Sequence, residues 1–311
     1  MYFPYLYGRQ AELNAVRDLV DSFGAPQQIF PIIEPVGTAD KLLGTLAELE
    51  TRRLAACIVV NPHLGDFEEA SSRDTWFDNM APMIANPSVV IPIFKEQKHT
   101  TITDIANFVD LYPQRRIGII LCTDRIPPEI LFTTLQEANC IVFLHPDVNP
   151  SSYHIGSLMN KLVQISENFK PKDRNKDYSG DEWLGDNHRT WIDNGYAGFS
   201  DFTVLPSIFK TGGGPVGAIA LHLSYEDNNN IRVQHFVSAT NDQKMPQAVK
   251  FHEALTDVSH QIALTPNRFH YSPGLKMYQS QHSNGQYTNL SGSKRQQIAH
   301  HIFTISKSLG C

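Results

Sequence analysis

No apolar run in the 311-residue sequence approaches the roughly 20 residues of a membrane span. Its opening, MYFPYLYGRQAEL, also lacks the basic stretch followed by an apolar one that a secretory signal requires. Both absences predict a cytoplasmic protein with no membrane role. Cysteine is scarce: Cys57, Cys122, Cys140 and Cys311 show no paired spacing, and the first three sit inside apolar runs. They read as buried free thiols suited to a reducing compartment rather than as a disulfide framework. Basic charge is not in excess either. With 26 Lys and Arg against 32 Asp and Glu, the formal charge of -6 gives no global attraction for nucleic acid. The 41% hydrophobic content in turn excludes a disordered chain.

The familiar catalytic signatures are missing as well. There is no G-x-S-x-G, no H-E-x-x-H, no paired C-x-x-C and no internal repeat. What is present is an alternation. Short β-branched runs stand at 29–34, 56–61, 89–95, 117–122, 140–145 and 162–166, separated by segments of helical length such as TADKLLGTLAELETRR and TTITDIANFVDLY. Strands that are apolar throughout and alternate with helices indicate a parallel sheet covered on both faces. Two further runs, around 199–205 and 217–225, bring the number to the eight that a closed barrel needs. The second of these turns directly into 231–239 through DNNN. The reading is therefore α/β: a degenerate TIM-like (β/α) barrel with an antiparallel hairpin near its end and C-terminal helices. It is taken as one domain over 1–311, with a barrel-like core at 24–240 and a helical part at 241–311. The region 167–198 is long, polar and punctuated by Gly and Trp, which in a compact domain marks a functional or moving loop.

The strands end on polar residues. Glu34, Asn61, Lys95, Asp124 and His145 stand at or just beyond strand C-termini, with Asp147 close behind. In parallel α/β folds these ends share one edge, so the residues converge on one rim. Polar residues also cap helices, but Lys and His are poor caps, which favours a shared site. Glu34 or Asp201 would act as base or metal ligand, Lys95 as an anion binder, and His145 or His222 as general acid or base. Asp124 and Asp147 are the candidate ligands of a divalent metal, although no spacing is diagnostic of one. Asn61, Lys170 and Arg174 are candidate ligand contacts, the last two as a basic clamp near the barrel mouth.

The run KTGGGP at 210–215 invites a phosphate-loop reading but lacks the G-K-[ST] ending and a following helix, so it reads as a turn between strands. In the hairpin one residue of register decides the fate of His235. A two-residue turn sets it opposite His222; a three-residue turn puts it on the apolar face, which is the expectation.

The stretches YFPYLYGRQAEL, IFPIIEPV, GFSDFTVLP, GAIALHLSY, RVQHFVSATND and KFHEAL together resemble the bacterial and phage-associated family called beta proteins, over most of the chain to about residue 255. The resemblance implies a bacterial or phage origin, a cytoplasmic location and an association with mobile elements or antiviral defence clusters. It brings no established reaction, and it points to Glu34, Asp201, His222 and His235.

Two functional readings stay open at this stage. One is an enzyme acting at the rim on a phosphate-containing or nucleotide-like substrate. The other is a non-catalytic binding subunit whose partner is another protein of a defence complex.

Overall fold

A computed structural model describes residues 1–212, 214 and 216–311. Gly213 and Pro215, in the middle of the KTGGGP run, lie outside the described residues. The strands, in chain order, are β1 (Tyr2–Leu6), β2 (Ile32–Ile33), β3 (Ala56–Val59), β4 (Val90–Lys95), β5 (Ile117–Leu121), β6 (Cys140–Leu144), β7 (Leu162–Ser166), β8 (Asp181–Gly185), β9 (Gly198–Asp201), β10 (Ala220–Asp227) and β11 (Asn230–Val237). Contacts divide the chain into two compact units. The first comprises Met1–Arg9, Pro26–Glu167 and Arg189–Phe202; the second comprises Gln10–Ala25, Asn168–His188 and Thr203–Cys311. The expected partition at residue 240 is therefore not where the contacts divide.

The first unit is a closed, all-parallel, eight-stranded barrel in the order β1-β2-β3-β4-β5-β6-β7-β9, sealed by β9 pairing with β1. The fold is TIM-like, as the alternation predicts, with one strand exchanged. The eighth strand is YFPYL at the start of the chain, not 217–225. Pro4 sits within β1, where it pairs in register with Asp201.

Side chains alternate across each strand. Ile119, Leu121, Val142 and Leu144 pack in one cluster with Ile105, Phe108 and Leu131 of the helices Ile102–Leu111 and Pro128–Leu135. The intervening residues point into the barrel, where Phe3 meets Phe143 edge-on at 5.1 Å. Gly118 belongs to this inner set, and a Cβ there would collide with the Ile93 side chain. The barrel is degenerate: α-helices of its own unit follow β2, β4 and β5 directly and β3 after a 3-10 turn, the helix after β1 belongs to the second unit, and β6 is followed by short 3-10 turns.

The second unit carries a three-stranded antiparallel sheet in the order β10-β11-β8. The polar region expected as a long loop supplies its edge strand, β8, and the short helix Asn187–Thr190. Tyr225, Leu223 and Phe236 pack with Phe251, Leu255 and Tyr278, residues of the helices Gln247–Leu264 and Pro273–Asn284. The latter helix lies in a stretch rich in Gln, Ser and His. It starts where Ser272 Oγ accepts from Leu275 N at 3.0 Å and ends at Gly285, whose φ of +61° is the left-handed stop that glycine takes without strain. Its Gln, Ser and His residues obscure a narrow apolar face at Leu275 and Tyr278. The helix Leu290–Ser308 closes the unit, and its Arg295 forms an ion pair with Asp18.

Candidate active site at the barrel rim

The inward-facing residue at the C-terminal end of each strand decides what the barrel mouth contains. Just past β2 it is Glu34, completely buried. At the end of β4 it is Lys95, whose Nζ lies 2.9 Å from Oε1 and 2.8 Å from Oε2 of Glu34. From β1, Tyr5 Oη donates to Glu34 Oε2 at 2.5 Å. A carboxylate taken out of water needs such partners, since an unpaired buried charge costs several kcal/mol. Burial, and then the negative charge of Glu34, hold the Tyr5 hydroxyl well above its ordinary pKa, so it remains a donor. The Lys95 side chain keeps 13% exposure.

Two histidines flank this pair. His63 sits in the loop after β3 with Nδ1 3.9 Å from Glu34 Oε1, and that nitrogen is sealed from solvent without a hydrogen-bond partner among the described residues. Its pKa is lowered, first by burial and next by the Lys95 charge, with Glu34 opposing. His145, just past β6, is lowered by burial too, against the opposing pull of Asp147, whose Oδ2 lies 3.3 Å from Nδ1. Both imidazoles thus favour the neutral form near pH 7, with a nitrogen able to take a proton. Phe202 packs its ring 4.8 Å from Tyr5 and 6.1 Å from His145. Burial pushes the Cys122 thiol up to about 11, which makes it inert rather than nucleophilic.

The other expected rim residues are placed differently. Asn61 is consumed in holding the rim together: its Oδ1 accepts from Lys95 N at 2.9 Å and its Nδ2 donates to Lys95 O at 2.8 Å. Asp124 accepts from Asn149 N at 3.2 Å, and Asp147 is 81% exposed. Among the described residues no three His, Cys, Asp or Glu side chains form a group able to hold a metal. Asp201 is one residue out of phase with Phe202; it accepts from Tyr2 Oη at 2.7 Å, and Tyr2 stacks on Phe199. It does not join the Glu34 cluster.

Lys170, Arg174 and His222 belong to the second unit, so the basic clamp expected after β7 is not part of the barrel unit. Arg174 pairs with Asp177 on the surface. The hairpin corrects the expectation for His235. Asn228 and Asn229 take positive φ angles of 47° and 65° in a two-residue turn, which sets His222 opposite His235. Their Nδ1 atoms are 2.8 Å apart, a distance that requires one to donate and the other to accept. Tyr178 and Phe169 pack on both rings.

Sequence reasoning overlooked Tyr5, His63 and Phe202. Tyr5 was hidden with the unrecognised first strand. His63 was within reach, as an imidazole two residues beyond the polar end of β3, the position type that singled out Asp147 after β6.

The chain matches no protein-family model, no curated protein and no solved structure. Among the described residues, no helix is long and apolar enough to cross a membrane.

Proposed function

We propose that the protein is an enzyme whose reaction takes place at the C-terminal rim of the barrel, on a small phosphate-containing or nucleotide-like substrate. The observation that carries this is the Glu34–Lys95–Tyr5 cluster between two neutral histidines. An ammonium has three N–H donors and no acceptor. Glu34 takes two of those on Lys95 with its two oxygens, which leaves one for an anionic oxygen of the substrate. In this arrangement Glu34, with both oxygens taken, is a positioning residue. Lys95 stabilises negative charge on the substrate, and His63 and His145 exchange protons with it. The resemblance to beta proteins supports a bacterial, cytoplasmic setting linked to phage defence.

The unfolding midpoint of the wild type and of Glu34→Gln, measured against inorganic phosphate, sugar phosphates and nucleotides, tests the reading. A ligand present at about 100 times its Kd stabilises a folded protein by about 2.7 kcal/mol. One ligand class should raise the wild-type midpoint and leave that of the variant unmoved. Equal shifts in both proteins would exclude the cluster as the site. A second reading, a non-catalytic binding subunit of a defence complex, is favoured by one observation: Glu34, Lys95 and Tyr5 satisfy one another without a ligand. A protein partner recovered with the chain, with no midpoint shift from any small molecule, would select it.

A further inference from the structure

The start of the helix Ala39–Thr51, the turn after β3 and the helix Ala70–Ile84 line an open cavity of about 510 Å³, within the roughly 300–1,000 Å³ of small-ligand sites. Thr38, Ser71, Ser72, Thr75 and Asn79 give it neutral hydroxyl and amide groups, Asp66 gives one carboxylate, and Trp76 and Phe67 form an aromatic floor. All these residues lie in the segments that follow β2 and β3, the strands just before Glu34 and Asn61.

Several donors here lack acceptors. Trp76 is 2% exposed, yet its Nε1–H has no hydrogen-bond partner among the described residues. Thr38 precedes the helix Ala39–Thr51, and Glu69 the helix Ala70–Ile84, without a side-chain cap in either case. The first-turn N–H groups of both helices are then open to oxygens of a ligand. The two loops are pinned together, since Asp66 N donates to Val36 O at 3.2 Å. Gly65, at φ +64°, passes so close to Val36 O that a Cβ would collide with it.

Helix starts commonly favour anions, but the surrounding charge does not. Asp40, Glu68, Glu69 and Asp74 flank the lining residues in sequence, against Lys41 and Arg73. Arg73 is engaged with Phe67 O and Glu68 O. A neutral ring bearing hydroxyl groups suits the cavity better. Its hydroxyls can donate to Asp66 and accept from the helix N–H groups, with the buried Trp76 and Phe67 side chains beneath.

We infer that this cavity holds the sugar ring of the substrate, the uncharged part of a molecule whose anionic part meets Lys95; the inference rests on the reading of the rim as a reaction site. His63 lies on the loop from β3, 3.9 Å from Glu34 and three residues before Asp66.

The full chain contains three tryptophans, so its indole N–H resonances in an ¹⁵N spectrum are few. Trp76 can be assigned by elimination with Trp183→Phe and Trp191→Phe. Titration with ribose 5-phosphate and with glucose 6-phosphate should move the Trp76 resonance saturably for at least one of them, and inorganic phosphate should not. Asp66→Ala, a change at an exposed side chain, should weaken the response about tenfold, the loss expected for a hydrogen bond to a charged group. A Trp76 resonance unmoved by both sugar phosphates, moved equally by inorganic phosphate, or moved with unchanged affinity in Asp66→Ala overturns the inference. The readout reports the cavity alone. A silent Trp76 removes the sugar subsite whatever Lys95 does; a responding Trp76 in a protein whose Glu34→Gln variant gains the same midpoint shift keeps the subsite and removes the rim reaction.

Discussion

Lys95 Nζ bridges both carboxylate oxygens of Glu34, and Glu34 has no contact with solvent while Lys95 keeps 13% of its side chain exposed. Removing one member of a buried pair strands the other, which typically costs about 3–5 kcal/mol, whereas removing both is close to neutral. Lys95→Met should therefore destabilise the protein by about that amount in urea unfolding, and the double variant Glu34→Leu with Lys95→Met should recover most of the loss. A double-variant cost equal to the sum of the separate costs of Glu34→Leu and Lys95→Met would show that the pair is not coupled.

Tyr5→Phe removes only the hydroxyl that donates to Glu34. The ring contact with Phe202 remains, so the loss isolates one hydrogen bond to a charged acceptor, about 1.5–3 kcal/mol. A denaturant midpoint unchanged from the wild type would mean that Lys95 alone satisfies the carboxylate.

Acid should weaken the second unit. His222 and His235 have lowered pKa values, chiefly from burial, and burial pushes His300 down to about 3. Between the folded and unfolded pKa values the unfolded chain binds more protons, so stability is fully present above about pH 6.5 and declines as the pH falls below it. The groups facing the His222–His235 pair do not reverse this: Lys294 and Lys172 oppose protonation, while Glu182, itself paired with Lys172 at 2.8 Å, and Asp181 offset it only in part. Doubly protonated, the pair would set two N–H groups against each other. Each such histidine contributes a slope of at most about 1.4 kcal/mol per pH unit. Unfolding free energy measured from pH 8 to 4.5 should fall below pH 6.5, and a flat profile would contradict the neutral pair.

The hairpin turn offers a test of register. Asn229 holds a φ of 65°, tolerable for Asn and costly for a β-branched residue. Asn229→Val should cost about 1–2 kcal/mol, and Asn229→Gly should cost nothing. If both variants melt with the wild type, the turn is not where the register is set.

Much of the barrel was legible because β2 to β7 are apolar on both faces and helices separate most of them. That same uniformity concealed which face is inner, since Ile119 and Ile120 look alike in sequence and point in opposite directions. Glu34, Lys95 and His145 could be read as strand ends. Their grouping could not, because it depends on β1 lying beside β2, and YFPYL carries a proline and no helical partner in its own unit. Asp201 misled for a related reason: it ends a strand, but with the wrong parity to share the interior with Phe202. The pairing of His222 with His235 depended on one turn residue, and the positive φ of two successive asparagines decides it.

The two units interleave along the chain rather than forming consecutive blocks. Residues 1–9 close the barrel against β9, almost two hundred positions later, while 10–25 belong to a unit whose last helix is Leu290–Ser308. Synthesis from the N-terminus therefore cannot finish either unit early. The barrel stays open until Gly198–Asp201 has emerged, and the helix Gln10–Arg17 waits for Leu290–Ser308 before it finds its packing partner. Contacts of such span make folding slow and leave apolar edges uncovered meanwhile. Fragments cut at any single position should be poorly soluble, a property that follows from the order of the chain and not from the strength of any contact.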